Sequence, residues 1–340
     1  MSNPVRAKIT SVGTYVPPRL LTNADLERLV ETSHDWIISR TGITERHIVE
    51  PGVMATSDMA VEASRDCLRR RGLIDAAGNP DASSVEAILV ATVTPDMLFP
   101  STACLVQDKL GAKCWGFDVV AACSGFLYAL ATGASLIGAG THKRVMVIGA
   151  DTMSSIIDYT DRATCVLFGD GAGAVLLEAA APDEPYGLLD YFHQIEGVGG
   201  PNLYMPAGGS RRPASVETVQ AREHFVHQEG QSVFKYAVLK MYEICQAILD
   251  RNGFKASDLD CFIPHQANLR IIKSTGERLG LDPNKVLVNI GKFGNTTAAT
   301  IPLGMRDAQD QGLLHPNALV LLAAVGAGYT AGAQLIRWAI

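Results

Sequence analysis

Three residues at predicted strand–helix junctions could carry out covalent chemistry: Cys123, His265 and Asn295. Cys123 follows a strand-like run that ends in small residues and precedes a helix-like run, so its thiol is expected at a helix N-terminus. Backbone N–H groups and the helix dipole favour the thiolate there, which is the nucleophilic form of cysteine. His265 follows a short strand, where ligands bind in α/β proteins. Asn295 could donate a neutral hydrogen bond to a developing oxyanion.

Each of the three residues also fits a structural role. The cysteine could be a buried core thiol, the histidine could cap the next helix, and an asparagine after glycine is most often an N-cap. The chain has seven cysteines in all, an odd number without any Cys-x-x-Cys pair. This usage predicts free thiols in a cytosolic protein. Position alone therefore leaves function and structure both open for each residue.

The elements that position these residues alternate between strands and helices. Apolar runs predict strands at 87–92, 116–121, 144–149, 164–168, 173–177, 261–264, 285–290, 319–324 and 333–338. Helical patterns cover 57–70, 101–110, 125–137, 233–251, 270–279 and 297–310. The alternation predicts an α/β fold with a largely parallel sheet. The Gly-, Pro- and Ser-rich stretch 182–223 is predicted to be a linker with a surface excursion.

Two features recur in both halves of the chain and indicate a duplication. A strand leads into a turn and a helix at both Cys123 and Asn295. A Gly-rich turn joins the last strands of each half, at 169–173 and at 326–328. We place the boundary so that 1–183 carries the cysteine and 184–340 carries the histidine and the asparagine.

Composition argues against several classes of protein. The chain has 340 residues, 47% of them hydrophobic and 19% charged, enough to bury a large core. A net charge of −6 argues against nucleic acid as the main partner. The apolar runs are too short to span a membrane, and the first residues hold no signal core, which predicts a cytoplasmic protein. Metal-ligand and nucleotide-binding patterns are incomplete, so neither a metal nor a bound cofactor is expected.

Six short motifs are spread along the chain: Thr32-Ser33-His34-Asp35-Trp36-Ile37, Arg40-Thr41-Gly42-Ile43 with Glu45-Arg46, Ala122-Cys123-Ser124-Gly125, Phe168-Gly169-Asp170-Gly171-Ala172-Gly173, Pro264-His265-Gln266-Ala267-Asn268 and Gly294-Asn295-Thr296-Thr297. Together they resemble the β-ketoacyl-[acyl carrier protein] synthase III family over nearly the whole chain. The resemblance implies a thiolase-like, five-layered αβαβα fold from two duplicated halves, working as a homodimer. It also implies the decarboxylating Claisen condensation that initiates fatty acid biosynthesis.

The resemblance assigns a role to each member of the Cys–His–Asn set. Cys123 would take a short acyl group, typically acetyl, from acyl-CoA, so that the CoA thioester is a substrate and not a cofactor. Malonyl-acyl carrier protein would then lose CO2, and the enolate would attack the thioester to give a 3-ketoacyl product. His265 and Asn295 would stabilise the enolate oxygen through neutral donors. The backbone N–H groups of Cys123 and Gly328 would form a second oxyanion hole.

Residues that bind the substrates are assigned in the same way. Coenzyme A would be held by four residues: Trp36, Arg40, Arg162 and Asn268. The indole would stack on adenine, the guanidinium groups match phosphate, and Asn268 adds an amide. Asn268 would also order a water near His265. Phe99 would reach the acyl pocket of the partner subunit. The acidic carrier protein would contact Gln266, Arg270 and Lys273, with Arg278 on the same predicted helix.

One motif departs from the family. The last Gly-rich motif often reads Gly-Gly-Gly-Phe-Thr-Trp-Gly, whereas this chain has Gly326-Ala327-Gly328-Tyr329-Thr330-Ala331-Gly332. Gly328 is retained, but alanine replaces the middle Gly and the Trp, which puts the width of the acyl pocket in question. Hydroxymethylglutaryl-CoA synthases share the architecture but need a glutamate upstream of the cysteine, where this chain has only Asp96 nearby.

Two other functions fit the same sequence. One is a related condensing enzyme or acyltransferase of secondary metabolism; members that do not decarboxylate often lack the asparagine, so Asn295 argues against them. The other is a non-catalytic module that binds acyl-CoA or a carrier protein. The complete Cys–His–Asn set argues against this module, because binding alone needs no thiol.

Overall fold

The computed structural model describes residues 6–340. The stretch 1–5, part of the predicted N-terminal half and of the segment expected to lack a signal core, lies outside the described residues. The strands, numbered in chain order, are β1 Ala7–Tyr15, β2 Leu20–Thr22, β3 Glu45–His47, β4 Ala87–Ala91, β5 Trp115–Val119, β6 Arg144–Asp151, β7 Gly171–Ala179, β8 Gly187–Ile195, β9 Leu203–Tyr204, β10 His227–Gln228, β11 Cys261–Pro264, β12 Leu319–Gly326 and β13 Thr330–Arg337.

Residues 6–340 form 11 α-helices, and several of them begin at a residue whose side chain caps the helix. They are α1 Asn23–Leu26, α2 His34–Thr41, α3 Thr56–Arg71, α4 Thr102–Leu110, α5 Gly125–Gly138, α6 Arg162–Cys165, α7 Val216–Gln220, α8 Gly230–Asn252, α9 Leu269–Leu279, α10 Ile290–Phe293 and α11 Thr300–Asp310. Helix α4 shows the pattern: the Ser101 side chain accepts from the backbone N–H of Cys104 at its start, and Gly111 ends it in the left-handed conformation.

Two sheets form the centre of the molecule and repeat one topology. The first has the order β1-β7-β6-β4-β5 and the second has the order β11-β12-β13-β8. In the first sheet β4 runs parallel to β5 and β6, while β7 runs antiparallel to β6 and β1. In the second, β11 is parallel to β12, and β13 is antiparallel to β12 and β8. Val286 adds one parallel bridge beside β11, at the position that β5 holds in the first sheet. The expected boundary after residue 183 falls between the end of β7 and the start of β8.

Helices fill three further layers, which gives the five-layered thiolase-like fold. Apolar side chains of α5 and α11, such as Phe126 and Ile301, pack between the two sheets. Helices α3 and α4 cover the outer face of the first sheet, and α8 and α9 cover the outer face of the second. Strands covered on both faces are continuously apolar, as in β4, where all five residues are buried. Within residues 6–340, no helix is both long and apolar enough to cross a membrane.

The same short turn precedes both central helices. Residues Ala122–Ser124 form one 3-10 turn directly before α5, and Thr297–Ala299 form another directly before α11. The first residue of each turn is left-handed without being glycine, with φ of 47° at Ala122 and 52° at Thr297. An L-residue adopts this conformation at a cost of roughly 1–2 kcal/mol, so the surrounding contacts must hold both turns in place.

Three sequence predictions about elements are wrong. The predicted strand at 164–168 is wrong, because the Asp161 side chain caps helix α6, which extends to Cys165. A turn follows, and only Phe168 pairs, in a single parallel bridge with Asn295. The predicted strand at 285–290 is reduced to the bridge at Val286, flanked by a 3-10 turn and by α10. The predicted linker 182–223 contains β8, an outer strand with half-buried polar residues that local composition does not distinguish from a loop.

Candidate active site

Cys123 lies where the first sheet turns into α5. It is the central residue of the 3-10 turn Ala122–Ser124, and only 7% of its surface is exposed. The exposed part faces a cavity of about 600 Å³. His265 and Asn295 line the same cavity, although the two are far from the cysteine in sequence. The structure therefore brings the three predicted residues together at one site.

The ionisation of Cys123 differs from the expectation. Burial, together with the smaller effect of the negative charge of Asp151, raises the pKa of the thiol to about 12. The backbone N–H of Cys123 itself lowers the pKa, but burial outweighs it. The prediction that the helix N-terminus makes the free cysteine a thiolate is therefore wrong, and the resting nucleophile is a thiol.

His265 directly follows β11 and is held by backbone and side-chain contacts. Its backbone N–H donates to the carbonyl oxygen of Ala323 at 2.7 Å. Its Nδ1 lies 2.7 Å from Oγ1 of Thr300, whereas Nε2 is buried without a hydrogen-bond partner in residues 6–340. Burial lowers the pKa of the imidazole to about 3, so the side chain is neutral at physiological pH.

Asn295 presents its donor end to the cavity. Its backbone N–H donates to the Leu167 carbonyl oxygen at 2.9 Å, which fixes the residue against the strand-like segment before β7. Its Oδ1 accepts from the backbone N–H of Thr297 at 2.9 Å. Because only the oxygen of the amide can accept from an N–H, this contact assigns the orientation of the side chain. The Nδ2 group is left as the donor facing the site.

The turn between β12 and β13 closes the site beside Cys123. A Cβ at Gly326 would lie 2.8 Å from the backbone nitrogen of Cys123, so glycine is required for this close approach. The Thr330 hydroxyl donates to the Ala121 carbonyl oxygen at 2.9 Å and holds the turn in place. Gly328, with φ of 127°, lies in this turn two residues after Gly326.

The cavity mouth carries aromatic and cationic groups. Trp36 lies between two arginines, with the Arg162 guanidinium 5.0 Å and that of Arg40 6.0 Å from its ring centroid. Asn268 caps α9 by accepting from the backbone N–H of Arg270, and it donates to the Arg40 carbonyl oxygen at 3.0 Å. All of these residues except Arg162 line the cavity. The four residues assigned to coenzyme A therefore cluster at its entrance.

The residues assigned to the carrier protein divide into two groups. Arg270, Lys273 and Arg278 are exposed on α9. Gln266 is 1% exposed, and its side chain donates to the carbonyl oxygens of Pro264 and Leu287 while accepting from two backbone N–H groups. The prediction that Gln266 contacts the carrier protein directly is therefore wrong. The buried side chain instead fixes the loop after His265. Phe99 is 84% exposed and lies away from the cavity of its own chain.

Two residues near the site, Asp151 and Thr300, were not predicted from the sequence. Asp151, at the end of β6, is fully buried and accepts from the hydroxyls of Thr92 and Thr94 and from the backbone N–H groups of Val93 and Ala298. Burial raises the pKa of this carboxyl to about 6. It ties the ends of the first sheet to the turn after Asn295. The signal in the sequence was an acid at the carboxyl end of a buried strand. The second residue is Thr300, which contacts His265.

Comparison with known proteins decides the family. The family model of 3-oxoacyl-[acyl-carrier-protein] synthase III matches residues 117–197, and the model of its C-terminal part matches residues 249–338. The β-ketoacyl-[acyl-carrier-protein] synthase III of Solibacter usitatus is 62% identical over 98% of this chain and 99% of its own length. The chain belongs to the β-ketoacyl-[acyl-carrier-protein] synthase III family. It is therefore an acyltransferase of the condensing type, which acts at the start of fatty acid biosynthesis.

Solved structures agree with this assignment of family and fold. The crystal structure of the synthase III of Aquifex aeolicus superimposes with a TM-score of 0.87 at 40% identity, covering 98% of this chain and all of the other. The priming β-ketosynthase of the R1128 polyketide pathway gives a TM-score of 0.88 at 30% identity, covering 100% of this chain and 98% of the other. The fold is thus shared with an enzyme of secondary metabolism, whereas sequence identity is higher to the synthases III cited here.

Proposed function

We propose that the chain condenses a short acyl-CoA, with acetyl-CoA as the expected starter, with malonyl-acyl carrier protein. The observation that carries the proposal is the convergence of a thiol, a neutral imidazole and an amide donor on one buried cavity. No bound metal or other cofactor takes part, because the acyl thioester supplies the electrophile and decarboxylation supplies the carbanion. The enzyme works in the cytoplasm, where its seven free cysteines remain reduced.

In the first half-reaction the sulfur of Cys123 attacks the acyl-CoA carbonyl carbon. The tetrahedral oxyanion is stabilised by the backbone N–H groups of Cys123 and Gly328. The bond between the carbonyl carbon and the CoA sulfur breaks, and the thiol proton of Cys123 ends on the departing CoA thiolate. The exchange therefore needs no net proton, which suits a nucleophile that burial keeps as a thiol.

In the second half-reaction the malonyl thioester loses CO2, and the electron pair of the broken C–C bond forms an enolate. His265 Nε2–H and Asn295 Nδ2–H donate to the enolate oxygen. The enolate carbon then attacks the acyl carbonyl, and the bond to Cys123 sulfur breaks. Malonate brings one negative charge and CO2 leaves neutral, so the cysteine thiolate takes up one proton in each turnover.

Both substrates enter the site through the cavity mouth. Trp36 stacks on the adenine of coenzyme A, and Arg40 and Arg162 contact its phosphates, while Asn268 orders a water near His265. The charges of α9 then meet the acidic carrier protein. The support for this docking is that Arg270 lines the cavity mouth. Lys273 and Arg278 are exposed on the same helix and extend its cationic surface.

The enzyme is a homodimer built on the free edge of β5. This edge carries the exposed apolar residues Trp115, Phe117 and Val120, and Phe99 protrudes beside it. An uncovered apolar strand edge is unfavourable in water, and pairing with a second copy of itself would cover it. Phe99 would then reach the acyl pocket of the partner.

Sedimentation tests the dimer. The wild-type chain should sediment as twice its mass of 36.3 kDa. Phe117→Lys should dissociate it and remove activity, whereas Leu239→Lys, at an exposed apolar position on α8, should leave both unchanged. A monomeric wild type, or a Phe117→Lys variant that stays dimeric, would contradict this interface.

Acyl labelling tests the reaction. Incubation with acetyl-CoA should add one acetyl group to the peptide that contains Cys123, as read by mass spectrometry. The variants His265→Ala and Asn295→Ala should still acquire some label but should not condense it with malonyl-acyl carrier protein. Label on another cysteine, or none with any short acyl-CoA, would refute the assignment. A primer series of rising length and branching then separates a fatty acid starter from one of secondary metabolism.

A further inference from the structure

The hydrogen of a neutral histidine can lie on either ring nitrogen, and the reaction needs it on one of them. Donation to the enolate requires the Nε2–H tautomer of His265. In the Nδ1–H tautomer, Nε2 would instead turn a lone pair toward the developing negative charge. Since burial keeps the ring neutral, the partner of Nδ1 decides which tautomer is present.

That partner is the hydroxyl of Thr300, the first residue of α11. The hydroxyl oxygen lies 2.7 Å from Nδ1 of His265 and 3.2 Å from the carbonyl oxygen of Thr297. A hydroxyl donor typically lies about 2.7–2.8 Å from its acceptor, whereas an N–H donor prefers about 2.9–3.0 Å. The shorter contact therefore fits a hydroxyl that donates to Nδ1, and the contact to Thr297 is long for a hydroxyl donor.

We infer that Thr300 is a positioning residue that holds His265 in its Nε2–H tautomer by donating its hydroxyl hydrogen to Nδ1. The inference rests on the proposed role of His265 as a donor to the enolate. Thr300 is 2% exposed, so water does not compete for the contact.

One turn thus sets both enolate donors. The backbone N–H of Thr297 donates to Oδ1 of Asn295, and the hydroxyl of Thr300 donates to Nδ1 of His265. In each case the acceptor atom of the side chain is occupied, and the donor atom is left for the cavity. The two contacts come from opposite ends of the four-residue turn 297–300, whose first residue, Thr297, has a left-handed backbone.

The test compares Thr300→Val with Thr300→Ser. Valine keeps the shape of threonine but cannot donate, whereas serine keeps the hydroxyl. Thr275→Val is the matched control, because Thr275 is also buried in a helix and its hydroxyl donates only to a backbone carbonyl oxygen, that of Ile271 at 2.9 Å. Each variant is assayed for kcat of condensation, for the rate of Cys123 acetylation and for the imidazole tautomer by 15N NMR.

We expect Thr300→Val to lower the condensation kcat by about 10- to 100-fold, by analogy with the loss seen when the group that orients a metal-binding histidine is removed. The KM for malonyl-acyl carrier protein and the rate of Cys123 acetylation should change little. Thr300→Ser should recover most of the kcat, and Thr275→Val should behave like wild type. The 15N spectrum should show Nε2–H in the wild type and a shift toward Nδ1–H in Thr300→Val.

Several outcomes would overturn the inference: a wild-type imidazole in the Nδ1–H form, an unchanged kcat in Thr300→Val, or no recovery in Thr300→Ser. Should Thr300→Val fail to fold, the wild-type spectrum and the serine variant decide. Failure of the proposed function looks different, because wild-type protein would then not condense acetyl from Cys123 at all, while the tautomer would still report on Thr300.

Discussion

Burial of His265 predicts a specific loss of stability in acid. The pKa of this imidazole is lowered from 6.5 to about 3 in the folded protein. Below pH 6.5 the unfolded chain binds a proton that the folded chain excludes, so the free energy of unfolding falls as pH falls from about 6.5 to about 3. The loss approaches about 1.4 kcal/mol per pH unit, and it amounts to about 2 kcal/mol between pH 7 and pH 5.

Two other buried groups contribute over the same interval. Burial lowers the pKa of His193 to about 4, which adds a loss of about 2 kcal/mol between pH 7 and pH 5 by the same relation. The pKa of Asp151 is raised to about 6, so this group has the opposite sign: the folded protein takes up its proton first and gains about 1 kcal/mol. These three groups together should therefore lower the free energy of unfolding of the wild type by about 2–3 kcal/mol between pH 7 and pH 5.

Urea unfolding of wild type and His265→Gln at pH 7 and pH 5 isolates the contribution of His265. Protomer concentration is held constant, because subunit association contributes to the measured stability. The variant should lose about 2 kcal/mol less than wild type between the two pH values, whatever its stability at pH 7. Between pH 7 and pH 8 the two proteins should respond alike. If both lose the same amount in acid, the pKa of His265 is not lowered in the folded state, and the claim that burial excludes a proton from this imidazole is refuted.

Further predictions concern the nucleophile, the coenzyme and the carrier protein. Gly326→Ala should destabilise the fold by about 1–3 kcal/mol and slow acylation, because its Cβ would meet the backbone of Cys123. Gly209→Ala is the control: it has open space around it and should stay within about 0.5 kcal/mol of wild type. Equal melting temperatures of the two variants would contradict this prediction. Trp36→Ala should raise the KM for acyl-CoA by about 5- to 150-fold, the value of one lost stacking contact of about 1–3 kcal/mol, and an unchanged KM would remove the indole from the adenine site. Lys273→Glu should raise the KM for malonyl-acyl carrier protein by about 5- to 30-fold at low salt, from about 1–2 kcal/mol of reversed charge, and less at high salt. Arg69→Glu, exposed on the opposite outer helix, is its control, and an equal effect of the two would point to net charge instead of docking.

Much of the fold could be predicted because its signals are local. Buried strands such as β4 and β11 are short apolar runs, and helices such as α4 begin at a capping serine and end at a glycine. The predicted strand at 164–168 failed because Asp161 caps a helix that extends to Cys165, and the residues after it form a turn with a single bridge at Phe168. Strand β8 was missed because an outer strand with one half-buried face alternates weakly and resembles a polar loop.

The sequence by itself determined the family, most of the strands and helices that position the site, and the identity of Cys123, His265 and Asn295 as candidates. Only the tertiary structure decided their chemical state. Burial by residues distant in the chain makes the cysteine a thiol and the histidine neutral, against the expectation from the helix N-terminus alone. It likewise turned Gln266 inward and placed Thr300 on Nδ1 of His265. The physical reason is that desolvation and hydrogen-bond partners are set by packing across both halves, whereas cap and strand signals are set by neighbours along the chain.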